Sequence, residues 1–329
     1  MAAEGGNNIV WFLYTGQENI PDNATHVFVD AAFIPRRAFY DHPNVVEVIC
    51  HDRVEKIEEE AFHCCPFLRR VIMPGVKILE YQAFAGCAAL TDVECGKLEI
   101  IGIHSFSECE SLGIINLPSV KNVQRAAFDC CKALTDVKFS NKLETIEDGA
   151  FSENRSLERI TIPLKDGLFT EAEDGIFAVC DNLKHVDLVG GALNETVSAL
   201  HLEGWRNDMS REIDSINQIL PNTPAGKYED FGDNGEKAQV IQTWIRSVID
   251  KMNHYKAEHQ RVLSEAATLL ELAVWKANLD DNNGGRTMSV REGVRTTRGS
   301  VKRARRELCV TSGASIVIKN VLPFLELKA

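Results

Sequence analysis

The sequence predicts an α+β protein: a solenoid of about seven coils of 22–23 residues carries a sheet of short strands, and a helical hairpin and a basic tail follow it. Three observations predict this architecture. A phenylalanine recurs at nearly constant spacing through the first 190 residues. Beyond residue 194 the hydrophobic period becomes that of a helix. Residues 284–329 carry ten basic and three acidic side chains.

The repeat is defined by aligned apolar columns. Steps of 23, 22, 22, 22, 23 and 26 residues separate seven phenylalanines: Phe39, Phe62, Phe84, Phe106, Phe128, Phe151 and Phe177. Three residues after the Phe, five copies have a cysteine, and His42 and Asn154 replace it in the other two. Apolar residues also stand six, nine and eleven positions after the Phe, and the last two alternate as in a short strand. Because one copy cannot bury its own apolar residues, the copies must stack around one core.

The repeat motif, AFxxCxxLxxVxxP preceded by VxxIxxx, resembles the leucine-rich repeats of the bacterial surface-antigen (BspA-like) type over residues 25–190. The resemblance implies a leucine-rich repeat solenoid that acts as a protein-interaction surface, and many members are cell-surface proteins. The chain after residue 194 looks like the helical extension that follows such repeats in some unicellular eukaryotes. The resemblance implies no activity for that extension.

The patterns divide the chain into an N-terminal cap (1–24), the solenoid (25–193), a helical hairpin that caps it (194–283), and a basic segment with an apolar C-terminal helix (284–329). The N-terminus departs from the surface proteins because it has no basic n-region, and its apolar run at 9–14 is too short for a signal peptide or a membrane span. We therefore expect a cytoplasmic or nuclear protein that is neither secreted nor bound to a membrane.

The hairpin prediction rests on two stretches of helical period, 194–220 and 240–277, joined by a loop rich in Pro, Gly and Asn. Lys237 and Arg246 are predicted on the polar sides of the second helix. The favoured interpretation is an antiparallel hairpin that covers the open end of the last coil, as solenoids require. The alternative is a helix that binds a partner.

The basic tail, residues 286–306, is densest at four neighbouring side chains: Lys302, Arg303, Arg305 and Arg306. A solvated basic face, a nuclear-import signal, and contact with nucleic acid or anionic membrane are the three interpretations. The absence of aromatic residues for base stacking disfavours nucleic acid. The apolar segment 314–327 is expected to pack onto the hairpin, and binding to a partner is the alternative.

The sequence offers no catalytic or metal-binding constellation. It has no P-loop, nucleophile elbow or zinc-protease motif. The paired cysteines, Cys64–Cys65 and Cys130–Cys131, lack the gap of two to four residues that zinc sites use. The cysteine column is interpreted as small buried hydrophobes with free thiols. We predict no enzyme activity, no metal, no cofactor and no small-molecule substrate.

The predicted binding site is the outward side of the sheet, formed by residues that flank the buried strand position. It comprises Ile49, Arg70, Ile72, Asp92, Glu94, Ile114, Asn116, Asp136, Lys138, Arg159 and Thr161. Its three isoleucines are expected to be exposed apolar anchors within a charged rim, and ordinary strand-forming residues are the alternative. The predicted function is a non-enzymatic scaffold or adaptor that binds a protein partner on this face. The rival is a nuclear, nucleic-acid-associated regulator that uses residues 286–306. The sequence leaves the oligomeric state open.

Overall fold

The computed structural model describes residues 9–170, 175–189, 203–226 and 236–284. The chain forms two compact units. The repeat unit comprises Met1–Asn194 with Ser210–Ile249, and the second unit comprises Glu195–Met209 with Asp250–Ala329. None of the described helices is long and apolar enough to span a membrane.

Each coil of the repeat unit contributes one strand to a main sheet, and every pairing is parallel. One main sheet has the order β1-β2-β4-β6-β8 and the other has the order β10-β12-β14-β15. The strands are β1 (Trp11–Tyr14), β2 (His26–Val29), β4 (Glu47–Cys50), β6 (Arg70–Ile72), β8 (Asp92–Glu94), β10 (Ile114–Leu117), β12 (Asp136–Phe139), β14 (Arg159–Ile162) and β15 (His185–Leu188). The predicted repeat solenoid is confirmed. β1 extends its sheet into the predicted N-terminal cap, residues 1–24.

A second, unpredicted sheet runs along the other side of the coils. Its six two-residue strands follow the order β13-β11-β9-β7-β5-β3. They are β3 (Phe33–Ile34), β5 (Lys56–Ile57), β7 (Ile78–Leu79), β9 (Ile100–Ile101), β11 (Asn122–Val123) and β13 (Thr145–Ile146). The second residue of each strand is fully buried. Two residues are too few to show the alternation from which strands are predicted.

The core is a column of phenylalanine rings. Consecutive rings of the seven repeat phenylalanines stack with centroids 4.6 to 5.8 Å apart and planes within 14° of parallel. All seven side chains are buried. Stacked aromatic pairs contribute about 0.5–1.5 kcal/mol each beyond the burial of their area. The column therefore couples every coil to the next.

The cysteine column is buried as predicted and also forms hydrogen bonds. Each thiol donates to the backbone carbonyl of the Phe in the preceding coil, at 2.9 to 3.3 Å; the donors are Cys65, Cys87, Cys109, Cys131 and Cys180. Asn154 takes the same role, because its Nδ2 lies 2.9 Å from the Phe128 carbonyl oxygen. Asparagine can thus replace cysteine as the hydrogen-bond donor at this position, which explains the exchange at Asn154.

The turn around each Phe contains two residues in the left-handed backbone region, one two positions before the ring and one two positions after it. The fourteen residues are Arg37, Asp41, Glu60, Cys64, Gln82, Gly86, His104, Glu108, Ala126, Cys130, Gly149, Glu153, Gly175 and Val179. Glycine, the usual residue for this conformation, occupies only three of them. The stacking of neighbouring coils must therefore offset the backbone strain at the other positions.

Two helices follow the solenoid: α1 (Glu203–Ile219), which ends in a short 3₁₀ turn (Leu220–Asn222), and α2 (Glu236–Gly284). Within the second unit their side chains meet in antiparallel order, because Asp208 contacts Lys251 at 3.1 Å whereas Trp205, earlier in α1, contacts Tyr255, later in α2. In the repeat unit, Trp244 Nε1 donates to the Glu212 carbonyl oxygen at 2.9 Å. In the second unit, the rings of Trp205 and Tyr255 stack at 5.2 Å. The predicted helical hairpin is confirmed.

The helices also cover the last coil. The Asn217 side-chain carbonyl accepts a hydrogen bond from the Val186 backbone N–H at 2.9 Å. This N–H of the last main strand, β15, therefore has a hydrogen-bond partner in α1. Lys237, predicted on a polar face of α2, is instead buried. Its Nζ donates to the backbone carbonyls of Cys180, Asp181 and Leu183 at 2.8 to 3.0 Å. A lone ammonium group thus satisfies three carbonyls at the end of the solenoid.

Candidate protein-interaction face

The strand registers place the predicted site residues in two straight rows, which together we call the strand face. The first row holds Trp11, His26, Glu47, Arg70 and Asp92 in one main sheet, and Ile114, Asp136, Arg159 and His185 in the other. The second row holds Leu13, Phe28, Ile49, Ile72 and Glu94, and then Asn116, Lys138, Thr161 and Asp187. The structure therefore brings all eleven predicted residues onto the two main sheets.

The three isoleucines differ in exposure, which corrects the expectation that all are exposed. Ile114 is 60% exposed, whereas Ile49 and Ile72 are half-buried. The reason is their neighbours: Ile49 lies in register between Phe28 and Ile72, and these large side chains shield one another. Leu13, at 55% exposure, continues this apolar row. Sequence reasoning missed Leu13 and Phe28 because they precede the first recognisable repeat.

The charged residues of the strand face form ion pairs with one another, with five carboxylates to three Arg or Lys side chains. Arg70 contacts Glu47 at 3.4 Å, Asp92 at 3.1 Å and Glu94 at 2.6 Å. The hydrogen bond to Glu94 raises the pKa of Arg70 above its ordinary value. Two further pairs follow, Asp136–Lys138 and Arg159–Asp187. Exposed ion pairs of this kind contribute little stability. A protein partner can therefore replace them with ion pairs to its own side chains at little cost in free energy.

Ile114 stands at the seam between the two main sheets, since β8 and β10 are not paired. Val93, on the β8 side, is half-buried, whereas the equivalent residues of the neighbouring coils, Val71 and Ile115, are buried. Asn116, two residues after Ile114, is exposed. The β10 side of the seam thus presents two uncharged exposed residues, Ile114 and Asn116, beside the carboxylates of Asp92 and Glu94 on β8.

On the turn side of the solenoid, Asp129 is a partly buried carboxylate. Its Oδ1 is buried without a hydrogen-bond partner. Burial raises the pKa of this carboxyl to about 6, and the charges of Glu153 and Glu108 act in the same direction. Because the folded state prefers the protonated carboxyl, ionisation of Asp129 destabilises the fold as the pH rises from about 4 to beyond 6.

Replacing the Asp129 carboxylate tests whether its ionisation lowers the stability of the fold as the pH rises. Asp129→Asn is expected to raise the free energy of unfolding by about 1 kcal/mol near neutral pH, a figure reduced for partial solvent access, and to have no effect near about pH 4. Urea unfolding across this pH range measures the difference. Asp214→Asn, at an exposed site, is the control. A gain from Asp129→Asn that is the same at both ends of the range would contradict the assignment.

A polar cleft of about 540 Å³ lies at the N-terminal end of the repeat unit. Its lining includes Arg37, Tyr40 and His42. The Arg37 guanidinium carbon lies 5.2 Å from the centre of the Tyr40 ring, and Arg37 also pairs with Glu60. Burial lowers the pKa of His42, and its Nε2 lies 3.2 Å from the Pro21 carbonyl oxygen. Arg37, Tyr40 and His42 are therefore already engaged in contacts within the repeat unit.

The described residues contain no cluster of three or more side chains suited to hold a metal ion. In the paired cysteines, Cys65 and Cys131 are used as hydrogen-bond donors to the backbone. Burial raises the pKa of the half-buried Cys130 to about 11, which disfavours the thiolate that zinc requires. The basic tail, with Lys302, Arg303, Arg305 and Arg306, lies outside the described residues, as does the apolar segment 314–327.

The family comparison matches the solenoid. Six copies of the BspA type leucine-rich repeat region cover residues 32–119 and 77–195. The repeat region belongs to the BspA-type leucine-rich repeat family. Comparison with curated proteins gives no match.

Solved structures similar to this BspA-type chain include two bacterial leucine-rich repeat proteins. A leucine-rich cell surface protein of Faecalibacterium prausnitzii is 26% identical, with a TM-score of 0.40 over 54% of this chain and 49% of that one. The leucine-rich repeat protein of T. pallidum is 25% identical, with a TM-score of 0.43 over 59% of this chain and 85% of that one. The BspA-type chain therefore spans about half the length of the F. prausnitzii structure.

Proposed function

We propose that this BspA-type chain is a non-enzymatic scaffold or adaptor that binds a protein partner on the strand face, with Ile114 as the central anchor. The observation that supports this proposal is the 60% exposure of Ile114 on a face whose charged side chains are already paired. Binding energy in protein interfaces concentrates in a few central residues surrounded by a polar rim. Asp92, Glu94, Asn116 and Lys138 would form that rim.

The experiment compares Ile114→Glu with Ile103→Glu in crosslinked capture from the source cells, read by mass spectrometry. Ile103 is 38% exposed in a turn away from the strand face, so it controls for the loss of a surface isoleucine. Ile114→Glu is expected to reduce capture of one protein set at least about tenfold, the typical loss at a central contact. Both variants should keep the stability of the parent within about 0.5 kcal/mol. Equal capture by the two variants would refute the strand-face proposal.

A second candidate function rests on charge: the segment 284–329 has ten basic and three acidic residues. A nuclear, nucleic-acid-associated regulator would use its basic part, residues 286–306, to contact phosphates. Binding of duplex DNA or RNA that weakens steeply with salt, and that disappears on deletion of 284–329, would favour this candidate. Binding that survives the deletion would exclude it. A cytoplasmic or nuclear location is part of both proposals, and imaging of the tagged chain tests it.

A further inference from the structure

The C-terminal half of α2 has an exposed stripe with an unusual spacing. Its four residues are Glu265, Leu269, Leu272 and Lys276, separated by steps of four, three and four. Such steps place side chains on one face of a helix. Leu269 is 66% exposed and Leu272 is 56% exposed, and the two charged ends of the stripe are exposed as well. Trp275, 66% exposed, flanks the stripe.

This surface differs from an ordinary solvated helix. Single exposed leucines are common, but three large apolar side chains exposed within seven residues form a patch, and such patches mark interaction sites. Glu265 pairs with Arg261 at 2.8 Å. Lys276, within the described part of the chain, has no ion-pair partner. The patch is therefore bounded by a carboxylate at one end and an uncommitted ammonium group at the other.

We propose that this stripe is a self-association site, at which two copies of the chain pair their α2 helices in antiparallel orientation about a two-fold axis. The reason is the symmetry of the spacing. The spacing of four, three and four residues is the same when it is read from either end of the stripe. The stripe of a second copy that runs in the opposite direction therefore aligns with the first, residue by residue. Leu269 of one copy then meets Leu272 of the other, twice, because a two-fold interface uses the same patch on both partners.

Charge selects the antiparallel orientation. In that pairing Glu265 lies opposite Lys276 of the second copy, so two ion pairs close the two ends of the apolar contact. In a parallel pairing Glu265 would face Glu265 and Lys276 would face Lys276, which repel each other. The stripe thus complements itself in both shape and charge, and it does so in one orientation only. That self-complementarity identifies a second copy as the occupant.

The dimer is expected to be weak. Two leucines and a flanking tryptophan per copy make an interface at the small end of the range for protein pairs. Association should therefore be reversible and visible in the micromolar range of protein concentration. This site lies on α2 and is independent of the strand face, so failure of one proposal leaves the other standing.

The experiment measures the mass of the full chain by sedimentation equilibrium from low to high micromolar concentration, with helix content followed by circular dichroism. Glu265→Lys and Lys276→Glu should each weaken the dimer about tenfold, because each reversal turns both symmetry-related pairs repulsive. The double variant Glu265→Lys/Lys276→Glu should restore association. Leu272→Asp should abolish it. Lys256→Glu, the same reversal at an exposed lysine outside the stripe, should leave it unchanged.

Three results would overturn the proposal. A parent chain that stays monomeric at every concentration shows that a second copy does not bind here, and it favours the apolar segment 314–327 of the same chain as the occupant. A dimer that persists in Leu272→Asp shows that another surface holds the copies together. A double charge variant that remains as weak as the single variants excludes the antiparallel pairing, since only that pairing brings Glu265 and Lys276 together.

Discussion

Phe106→Ala is expected to lower the free energy of unfolding by about 3–5 kcal/mol, the largest effect of any single truncation in the middle of the array. The ring is fully buried and stacks on Phe84 at 5.4 Å and on Phe128 at 5.2 Å. Its removal leaves a cavity in the centre of the core and breaks two coil-to-coil contacts. Because the stability of a repeat array depends on interfaces between neighbours, the loss should also broaden the unfolding transition.

Urea unfolding followed by circular dichroism measures this effect. The control is Phe67→Ala, the same truncation at a ring that is 54% exposed, and it should change the free energy of unfolding by less than about 0.5 kcal/mol. Phe39→Ala should fall between the two, because that ring stacks on only one other repeat phenylalanine, Phe62. If Phe106→Ala and Phe67→Ala lower the free energy of unfolding by the same amount, the stacked column does not hold the coils together.

Lys237→Met is expected to lower the free energy of unfolding by about 3 kcal/mol. Methionine keeps the length of the side chain but removes the ammonium group, so the carbonyls of Cys180, Asp181 and Leu183 lose their shared donor. The native lysine lies in the first turn of α2, where the helix dipole disfavours a cation. We expect the three hydrogen bonds to outweigh this cost.

The pH dependence of Lys237 has an uncommon sign. Burial lowers its pKa below the ordinary value of 10.5. The unfolded chain therefore binds this proton more tightly than the folded chain, and the contribution of Lys237 to stability increases as the pH rises from its folded pKa towards 10.5. The free energy of unfolding is measured as a function of pH for both proteins. Subtracting the Lys237→Met values from the parent values isolates the pH dependence that Lys237 contributes. Lys97→Met, at an exposed lysine, is the control. A difference that falls with pH in this window would contradict the burial argument.

The columns of the repeat could be predicted because every coil places the same residue in the same environment. The seven phenylalanines and the five cysteines that follow them are buried where the spacing puts them. The buried column of the second sheet is visible in the sequence as the Ile of the VxxIxxx motif, but its strands could not be predicted, because two residues per coil are too few to show the alternation of a strand. The sequence also gave no sign that the column cysteines donate hydrogen bonds, since burial alone accounts for cysteine at that position.

At the candidate site, the sequence predicted which residues share the strand face but not how exposed they are. Exposure depends on the neighbours across the sheet. Ile49 and Ile72 shield each other with Phe28, whereas Ile114 stands at the seam and stays exposed. The pattern of α2 likewise gave no sign that Lys237 is buried, since its carbonyl partners lie more than fifty residues earlier in the chain.

The cysteine column makes five of the seven repeat coils reporters of their own opening, since the other two have His42 and Asn154 at that position. In the folded chain the column thiols are buried and donate to the backbone, and burial raises the pKa of Cys180 to about 12. A protonated, inaccessible thiol does not react with alkylating reagents. Each column cysteine can therefore be labelled only when its coil separates from its neighbours. Timed alkylation under native conditions, with each cysteine identified by mass, would thus give the order in which these five coils come apart.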